Sequence, residues 1–129
     1  MSDHPNVTIV NRMTAAVLSD DTDALAEIFT EDMQLHVRGS EAVAGDHRGV
    51  EGFLGALGGL LAGGEVVLDQ HFCIGTDGWA AEWEHATLTR GADELEFDDA
   101  FIYRFDSGRI AEIWMLIGAT PASVAAWLA

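Results

Sequence analysis

One carboxylate interrupts an apolar row in the central strand pattern of the sequence. Residues 94–105 alternate with period two, which is typical of a β-strand. The row that holds Asp99 is otherwise apolar or aromatic and consists of Leu95, Phe97, Phe101, Tyr103 and Phe105. An ionised aspartate in such surroundings is costly unless it is paired, hydrated or protonated. Asp99 therefore either has a buried structural partner or faces a cavity, where an apolar environment would raise its pKa and suit it to general acid or base catalysis.

His85 is the predicted partner of Asp99. Residues 79–90 also alternate, and the row that holds the tryptophans and His85 is interpreted as the inward one. On that phase His85 pairs with Asp99 across neighbouring strands, where the carboxylate would orient the ring and set its tautomer. The alternative is a histidine that is satisfied within the core and has no catalytic role. Asp98 takes the place of Asp99 at the site if a bulge shifts the phase of the strand.

Aromatic side chains at strand spacing predict the walls of a pocket. The residues on rows interpreted as inward are Trp79, Trp83, Phe97, Phe101, Tyr103 and Trp114. Such a lining suits a flat, apolar ligand, and the hydroxyl of Tyr103 could donate a hydrogen bond to a ligand carbonyl. Packing within the core is the alternative interpretation for each of them.

No motif in the sequence indicates a metal ion or a bound cofactor. The five histidines lie on separate predicted elements, no His-x-x-x-His pair occurs, and Cys73 is the only cysteine. The glycine-rich run 55–64 lacks the Lys–Ser/Thr ending of a phosphate-binding loop, and no Gly-x-Ser-x-Gly elbow is present. The sequence therefore predicts neither a metal site nor a cofactor.

The composition narrows the class of ligand and of partner. The chain has 129 residues, of which 49% are hydrophobic, so it can form one domain with a single core. Its net charge of -16 repels nucleic acid, anionic membranes and anionic substrates, which favours a neutral or cationic small molecule. No apolar run reaches the roughly 20 residues of a membrane span, no signal peptide is visible, and a single cysteine fits a reducing compartment. We therefore expect a cytoplasmic protein that binds an apolar small molecule and contacts neither nucleic acid nor membrane.

The predicted elements place most helices before a run of antiparallel strands. Helical spacing of apolar residues predicts helices over residues 6–18, 22–29, 49–62 and 121–128. Alternation and turn residues predict a short strand over 33–37 and longer strands over 65–75, 79–90, 94–105 and 109–117. This order predicts an α+β fold, in which the helices pack in the concave face of a curved, mainly antiparallel sheet.

The order and spacing of four segments resemble the SnoaL-like branch of the nuclear-transport-factor-like cone fold. These segments are residues 21–32, 35–39, 44–49 and 101–112. The match extends over nearly the whole chain and implies a single domain over 1–129, a cone-shaped barrel with a pocket, and a homodimer. The family includes polyketide cyclases, ketosteroid isomerase and epoxide hydrolases, so the fold does not fix the function.

Matching positions argue against steroid isomerisation by the mechanism of the family's isomerase. The general base and the two oxyanion donors of that isomerase correspond to Val37, Met13 and Phe101, which cannot do this chemistry. The polyketide cyclases of the family use a carboxylate and histidines on the meander strands, and Asp99 and His85 resemble that arrangement. His36 corresponds to a histidine that is common in relatives. The predicted catalytic residues are Asp99 and His85, and the predicted substrate-binding residues are Trp83, Phe97, Phe101, Tyr103, Trp114, His36, Val37, Met13 and Phe53.

Two functions remain open on the sequence alone. The first is a cofactor-independent isomerase, cyclase or hydrolase of a neutral apolar molecule, in which Asp99 moves the proton and His85 assists. The second is a small-molecule-binding or assembly domain without catalysis. Apolar side chains on the outer sheet face predict a homodimer through that face. They are assigned as Ala80, Ala86, Leu88, Ala100, Ile102, Ile113 and Met115.

Overall fold

The computed structural model describes residues 3–129, and the side chains of all of these except Gln70. Its elements in chain order are α1 (Pro5–Leu18), α2 (Thr22–Ile28), β1 (Phe29–Arg38), β2 (Gly45–Arg48), α3 (Gly49–Leu61), β3 (Glu65–Thr76), β4 (Trp79–Arg90), β5 (Asp93–Asp106), β6 (Arg109–Ile117) and α4 (Pro121–Leu128). The predicted α+β class is confirmed. Strand β2 was not predicted from the sequence.

The six strands form one mixed sheet with the order β2-β1-β6-β5-β4-β3. Neighbouring strands are antiparallel, except that β1 runs parallel to β6. Strands β2 and β3 are the two edges, so the sheet curves without closing. The core lies between the concave face and the helices.

Two helices complete the concave side of the molecule. Helix α1 begins at Pro5, whose fixed φ suits a first helical turn, and it buries Met13 toward the sheet. Helix α3 buries Phe53, and the ring of Phe53 packs edge-on to Phe29 with centroids 5.0 Å apart. Helix α1 packs against β3 and β4, and α3 packs against β1 and β2, so the two helices cover the two halves of the concave face.

The turn between β4 and β5 sets which residues of the two strands meet. It contains two residues, whereas the predicted strand ends at residues 90 and 94 leave three between them. Arg90 therefore pairs with Asp93, and counting back along both strands brings Glu84, not His85, opposite Asp99. Directly opposed residues of antiparallel strands point to the same face, so Glu84 shares the concave face with Asp99.

The predicted inward phase of β4 is therefore wrong. A shift of one residue in register moves every side chain of a strand to the other face. The buried side chains of β4 are Ala80, Glu82, Glu84, Ala86 and Leu88. The outer face instead carries Trp79, Ala81, Trp83, His85 and Thr87.

A bulge exchanges the two faces of β3 halfway along its length. The pairing with β4 shifts register between Leu68 and Gln70. Before the shift Val66 and Leu68 face the concave side. After it the concave side receives His71, because an extra residue in one strand reverses the alternation beyond it.

A second register shift, in the pairing of β5 with β6, has the same effect on the last strand. It lies between Arg104 and Phe105 of β5. The inward side chains of β6 become Ile113, Met115 and Ile117, and Trp114 lies on the outer face. Of the seven side chains assigned to the outer face, Ala100 and Ile102 lie there, and the other five are wrong because they are buried: Ala80, Ala86, Leu88, Ile113 and Met115.

Candidate functional site

An apolar pocket opens between the two helices and the concave face of the sheet. It has a cavity volume of about 100 Å³ and is open at its mouth. Its walls come from α1, α3 and strands β3 to β6, and they are apolar apart from the Thr14 hydroxyl and three carboxyl groups. The three carboxyl groups belong to Glu82, Glu84 and Asp99.

Asp99 and Glu84 form a carboxyl pair in this pocket. They face each other across β5 and β4, and they are only 4% and 8% exposed. Burial, with the charge of Glu84 next to it, raises the pKa of Asp99 to about 9. Burial and the charge of Glu82 raise the pKa of Glu84 to about 7. Near neutral pH Asp99 therefore holds a proton beside a carboxyl group that is poised to accept one.

One oxygen of this pair has no partner. Oδ1 of Asp99 is buried and makes no hydrogen bond within the part of the chain that the structure describes. An unpaired buried acceptor is costly, and such groups in native proteins call for an explanation. A ligand group in the pocket would supply the missing partner.

Glu82 is held differently from its two neighbours. The hydroxyl of Tyr103 donates to Oε1 of Glu82 at 2.5 Å, and Nε2 of His71 contacts Oε2. Tyr103 is fully buried, and its burial together with the Glu82 charge raises its pKa well above the usual value. The Tyr103 hydroxyl is thus used within the protein, so the expectation that it donates to a ligand carbonyl is wrong.

His85 lies on the opposite face of the sheet from Asp99. Its Nδ1 is 2.7 Å from Oδ1 of Asp98, and its Nε2 is 2.8 Å from Oε1 of Glu96. These hydrogen bonds raise the pKa of His85, and the one to Asp98 has the larger effect. The predicted Asp99–His85 pair is therefore wrong, and the neighbour of Asp99 is Glu84.

The other predicted site residues divide into three groups. Those in the pocket wall are Met13, Phe53, Phe97 and Phe101. Those in the core without facing the pocket are Val37 and Tyr103. Those on the outer face, where the predicted pocket position is wrong, are His36, Trp83 and Trp114.

His36 takes part in an ionic network on that outer face. Its Nδ1 is 2.8 Å from Asp46 and its Nε2 is 2.6 Å from Glu112, and its ring lies 5.3 Å from that of Trp114. The hydrogen bond to Asp46 is the main reason that the pKa of His36 is raised. Arg104 also binds Glu112 at 3.1 Å. His36 is thus an outer-face residue rather than a pocket residue.

Three residues in or near the pocket were not predicted from the sequence, namely His71, Glu82 and Glu84. A signal for the glutamates was available. If the turn consists of Gly91 and Ala92 only, the resulting register places Glu84 opposite Asp99. His71 had no such signal, because its position depends on the bulge in β3.

Among the side chains that the structure describes, no group of three or more His, Cys, Asp and Glu could hold a metal ion. Within residues 3–129, no helix is long and apolar enough to cross a membrane.

Comparisons with known proteins place this architecture. The uncharacterized protein Rv0034 of Mycobacterium tuberculosis is 25% identical over 130 residues, covering 98% of this chain and 99% of its own. The structure of Bal32a from a soil-derived mobile gene cassette is 28% identical, with a TM-score of 0.73 and coverage of 95% of this chain and 93% of that one. An NTF2-like protein from Burkholderia xenovorans LB400 has the same fold, with 21% identity, a TM-score of 0.76 and coverage of 98% and 97%.

The family assignment rests on most of the chain. A family model described as a SnoaL-like domain matches residues 10–113, which include all three pocket carboxylates. The chain therefore belongs to the SnoaL-like family.

Proposed function

We propose that this protein is a cofactor-independent enzyme that acts on a neutral, apolar small molecule by general acid/base chemistry. The observation that carries the proposal is the Asp99–Glu84 pair in an otherwise apolar pocket. Isomerisation, cyclisation and epoxide hydrolysis can all use such a pair. A neutral carboxylic acid and a carboxylate side by side provide both a proton donor and a proton acceptor near pH 7.

The proposed reaction moves two protons in opposite directions. In one case protonated Asp99 donates to a carbonyl oxygen while Glu84 removes a proton from a substrate carbon. In the other, Asp99 donates to an epoxide oxygen as the ring C–O bond breaks, and Glu84 takes a proton from the water whose oxygen forms the new C–O bond. The pair therefore begins and ends with the same number of protons. Apolar walls such as Phe97 and Phe101 would hold the carbon skeleton and keep water from the reacting atoms.

Replacement of Asp99 tests the proposal. We expect Asp99→Asn to bind substrate but to lower kcat/KM by about 100-fold or more, because the proton donor is lost. The measurement is kcat/KM across pH 5–10 for hits from a panel of enones, polyketide-like ketones and epoxides. The parent profile should rise near pH 7, as Glu84 loses its proton, and fall near pH 9, as Asp99 loses its own. The variant should lack the upper limb.

Asp98→Asn is the matched control for this experiment. Asp98 is the next residue in the same strand but points to the outer face, toward His85. It should keep the activity and both limbs of the pH profile. Full activity in Asp99→Asn would exclude the proposed role of this carboxyl group.

A binding domain without turnover is the second candidate. The observation that favours it is that two donors near the pocket, Tyr103 and His71, are already engaged by Glu82. This function predicts that ligands bind to the parent and to Asp99→Asn alike, and that no bound compound of the panel is converted.

We also propose that the protein forms a homodimer through an outer apolar patch. We define this patch as Phe72, Ile74, Trp79, Trp83, Ala100, Ile102, Trp114 and Leu116. One row runs straight across four strands through Phe72, Trp83, Ala100 and Leu116. Phe72 is 59% exposed and Leu116 is 43% exposed. A contiguous apolar face of this kind is typical of a surface that another protein covers.

A charge placed in the patch should separate the subunits. We expect Leu116→Glu to weaken the dimer by at least about 100-fold, because an unpaired carboxylate would be buried within an apolar interface. Light scattering after size exclusion, over a range of concentrations, measures this. Asn11→Glu adds the same charge on an exposed position of α1 and should stay dimeric. A parent protein that is monomeric at high concentration would refute the assignment.

A further inference from the structure

We propose that the pocket takes an apolar molecule whose polar group is a basic nitrogen, bound as a cation that donates N–H hydrogen bonds to Asp99 and Glu84. This deepens the proposed function and rests on it for the assignment of this pocket as the ligand site. It narrows the substrate from neutral apolar molecules in general to apolar amines or imines. The ligand enters with its nitrogen already protonated, so the proton of Asp99 leaves to solvent as the cation binds.

The hydrogen-bonding groups of the pocket wall favour a ligand that donates. The hydroxyl of Thr14, the one alcohol in the wall, already donates to the carbonyl of Val10 at 3.2 Å. Both oxygens of Glu82 have partners, since one contacts Tyr103 and the other contacts His71. What remains open is an acceptor, the buried Oδ1 of Asp99. Once Asp99 is ionised beside a cation, that oxygen can only accept a hydrogen bond, so the ligand must donate one.

The charges around the pocket point to the same class of ligand. The pocket wall contains three carboxyl groups and no Lys, Arg or His side chain. The groups that surround the Asp99–Glu84 pair are Glu82 on β4, Asp98 and Tyr103 on β5, and His71 on β3, which is paired with Glu82. The wall residues from α1, α3 and β6 are not titratable. The whole chain carries a net charge of -16, which raises the local concentration of cations.

Binding of such a cation has a proton signature. At pH 8 Asp99 of the empty pocket holds a proton. An ammonium group beside it favours the carboxylate form, so up to one proton leaves as the ligand binds. A neutral alcohol of the same shape does not stabilise the carboxylate form, so Asp99 should keep its proton when the alcohol binds. Proton release therefore separates recognition of a charged amine from simple burial of its apolar part.

The experiment compares three probes that differ only in their polar group: 1-naphthylmethylamine, 1-naphthylmethanol and 1-naphthoate. Isothermal calorimetry at pH 8, in two buffers with different heats of ionisation, gives the affinity and the protons released. We expect the amine to bind at least about tenfold more tightly than the alcohol and to release about one proton, and the acid not to bind. Asp99→Asn should weaken the amine about tenfold and leave the alcohol unchanged, while Asp98→Asn should change neither.

Three outcomes would contradict the inference. If the alcohol binds as tightly as the amine, or no proton is released, the inference is wrong while the pocket as a site for apolar molecules stands. If the amine binds equally well to the parent, Asp99→Asn and Glu84→Gln, it sits elsewhere on the acidic surface and the inference is again wrong. If none of the three probes binds to the folded protein, both the inference and the proposed function fall.

Discussion

Between pH 5 and pH 9, the free energy of unfolding is expected to fall by about 5 kcal/mol more in the parent protein than in Asp99→Asn. The reason is the proton that the folded state keeps. Asp99 releases its proton near the ordinary aspartate pKa of 3.8 when the chain is unfolded, but only near 9 when it is folded. Between these values the unfolded state binds fewer protons. Stability is therefore lost at about 1.4 kcal/mol per pH unit as the pH rises.

Other groups add to the slope in both proteins. Glu84 has a folded pKa raised to about 7, so its contribution is present below its unfolded pKa and is lost as the pH rises through 7. The pKa values of His36 and His85 are also raised, so their contributions are lost in the same direction. Because His36 and His85 lie on the outer face, the comparison with Asp99→Asn removes their contributions. It leaves the contribution of the Asp99–Glu84 pair, whose two pKa values depend on each other.

Urea unfolding at each pH unit from 5 to 9 measures this difference. Asp32→Asn is a suitable control, because Asp32 is exposed and its replacement removes one negative charge without touching the pocket. The control should run parallel to the parent. If Asp99→Asn also runs parallel to the parent, then Asp99 is ionised in the folded protein, and its part as a proton donor is excluded.

The second large effect is expected from Tyr103→Phe, which should lower the free energy of unfolding by about 3 kcal/mol. The substitution removes one oxygen and leaves the aromatic ring in place. Its cost comes from Glu82, whose side chain is 1% exposed and would lose the donor on Oε1. His71 alone would remain as a partner, and it is 34% exposed.

A double-mutant cycle separates this cost from a loss of packing. Glu82→Met removes the carboxyl group and keeps a side chain of similar length, but it leaves the Tyr103 hydroxyl buried without an acceptor. In the double variant no polar group of this pair is left unpaired, so we expect most of the loss to be recovered and a coupling energy of about 2 kcal/mol. Additive effects of the two substitutions would show that the Tyr103–Glu82 hydrogen bond contributes little.

The sequence was sufficient for every element except β2 and for the inward direction of Asp99. Strand β5 has a strong alternation, since its concave row is almost entirely aromatic or aliphatic, and this row points where the pattern predicts. The helices were also legible, because α1 and α3 repeat apolar residues at helical spacing and end near glycines or turn residues.

The surroundings of Asp99 were not predictable by the same means. In β4 each of the two rows of side chains contains both polar and apolar residues, so hydrophobicity does not show which row faces inward. The tryptophans favoured the row that in fact lies on the outer face. The two-residue turn Gly91-Ala92 determines which row of β4 faces inward. In β3 the row that faces inward changes along the strand because of a bulge. A bulge is a feature of the backbone, and the side-chain pattern does not indicate it.

The bulge in β3 also affects how the protein resists aggregation. Strand β3 is an edge of the sheet, is 12 residues long, and exposes Val67, Phe72 and Ile74. A straight, apolar edge strand offers a regular row of N–H and C=O groups on which a strand of another molecule can stack. The register shift between Leu68 and Gln70 interrupts that row near its middle, so a foreign strand could pair with only half of the edge at a time. We therefore expect the irregularity that brings His71 to Glu82 also to make this edge a poorer template for strand addition.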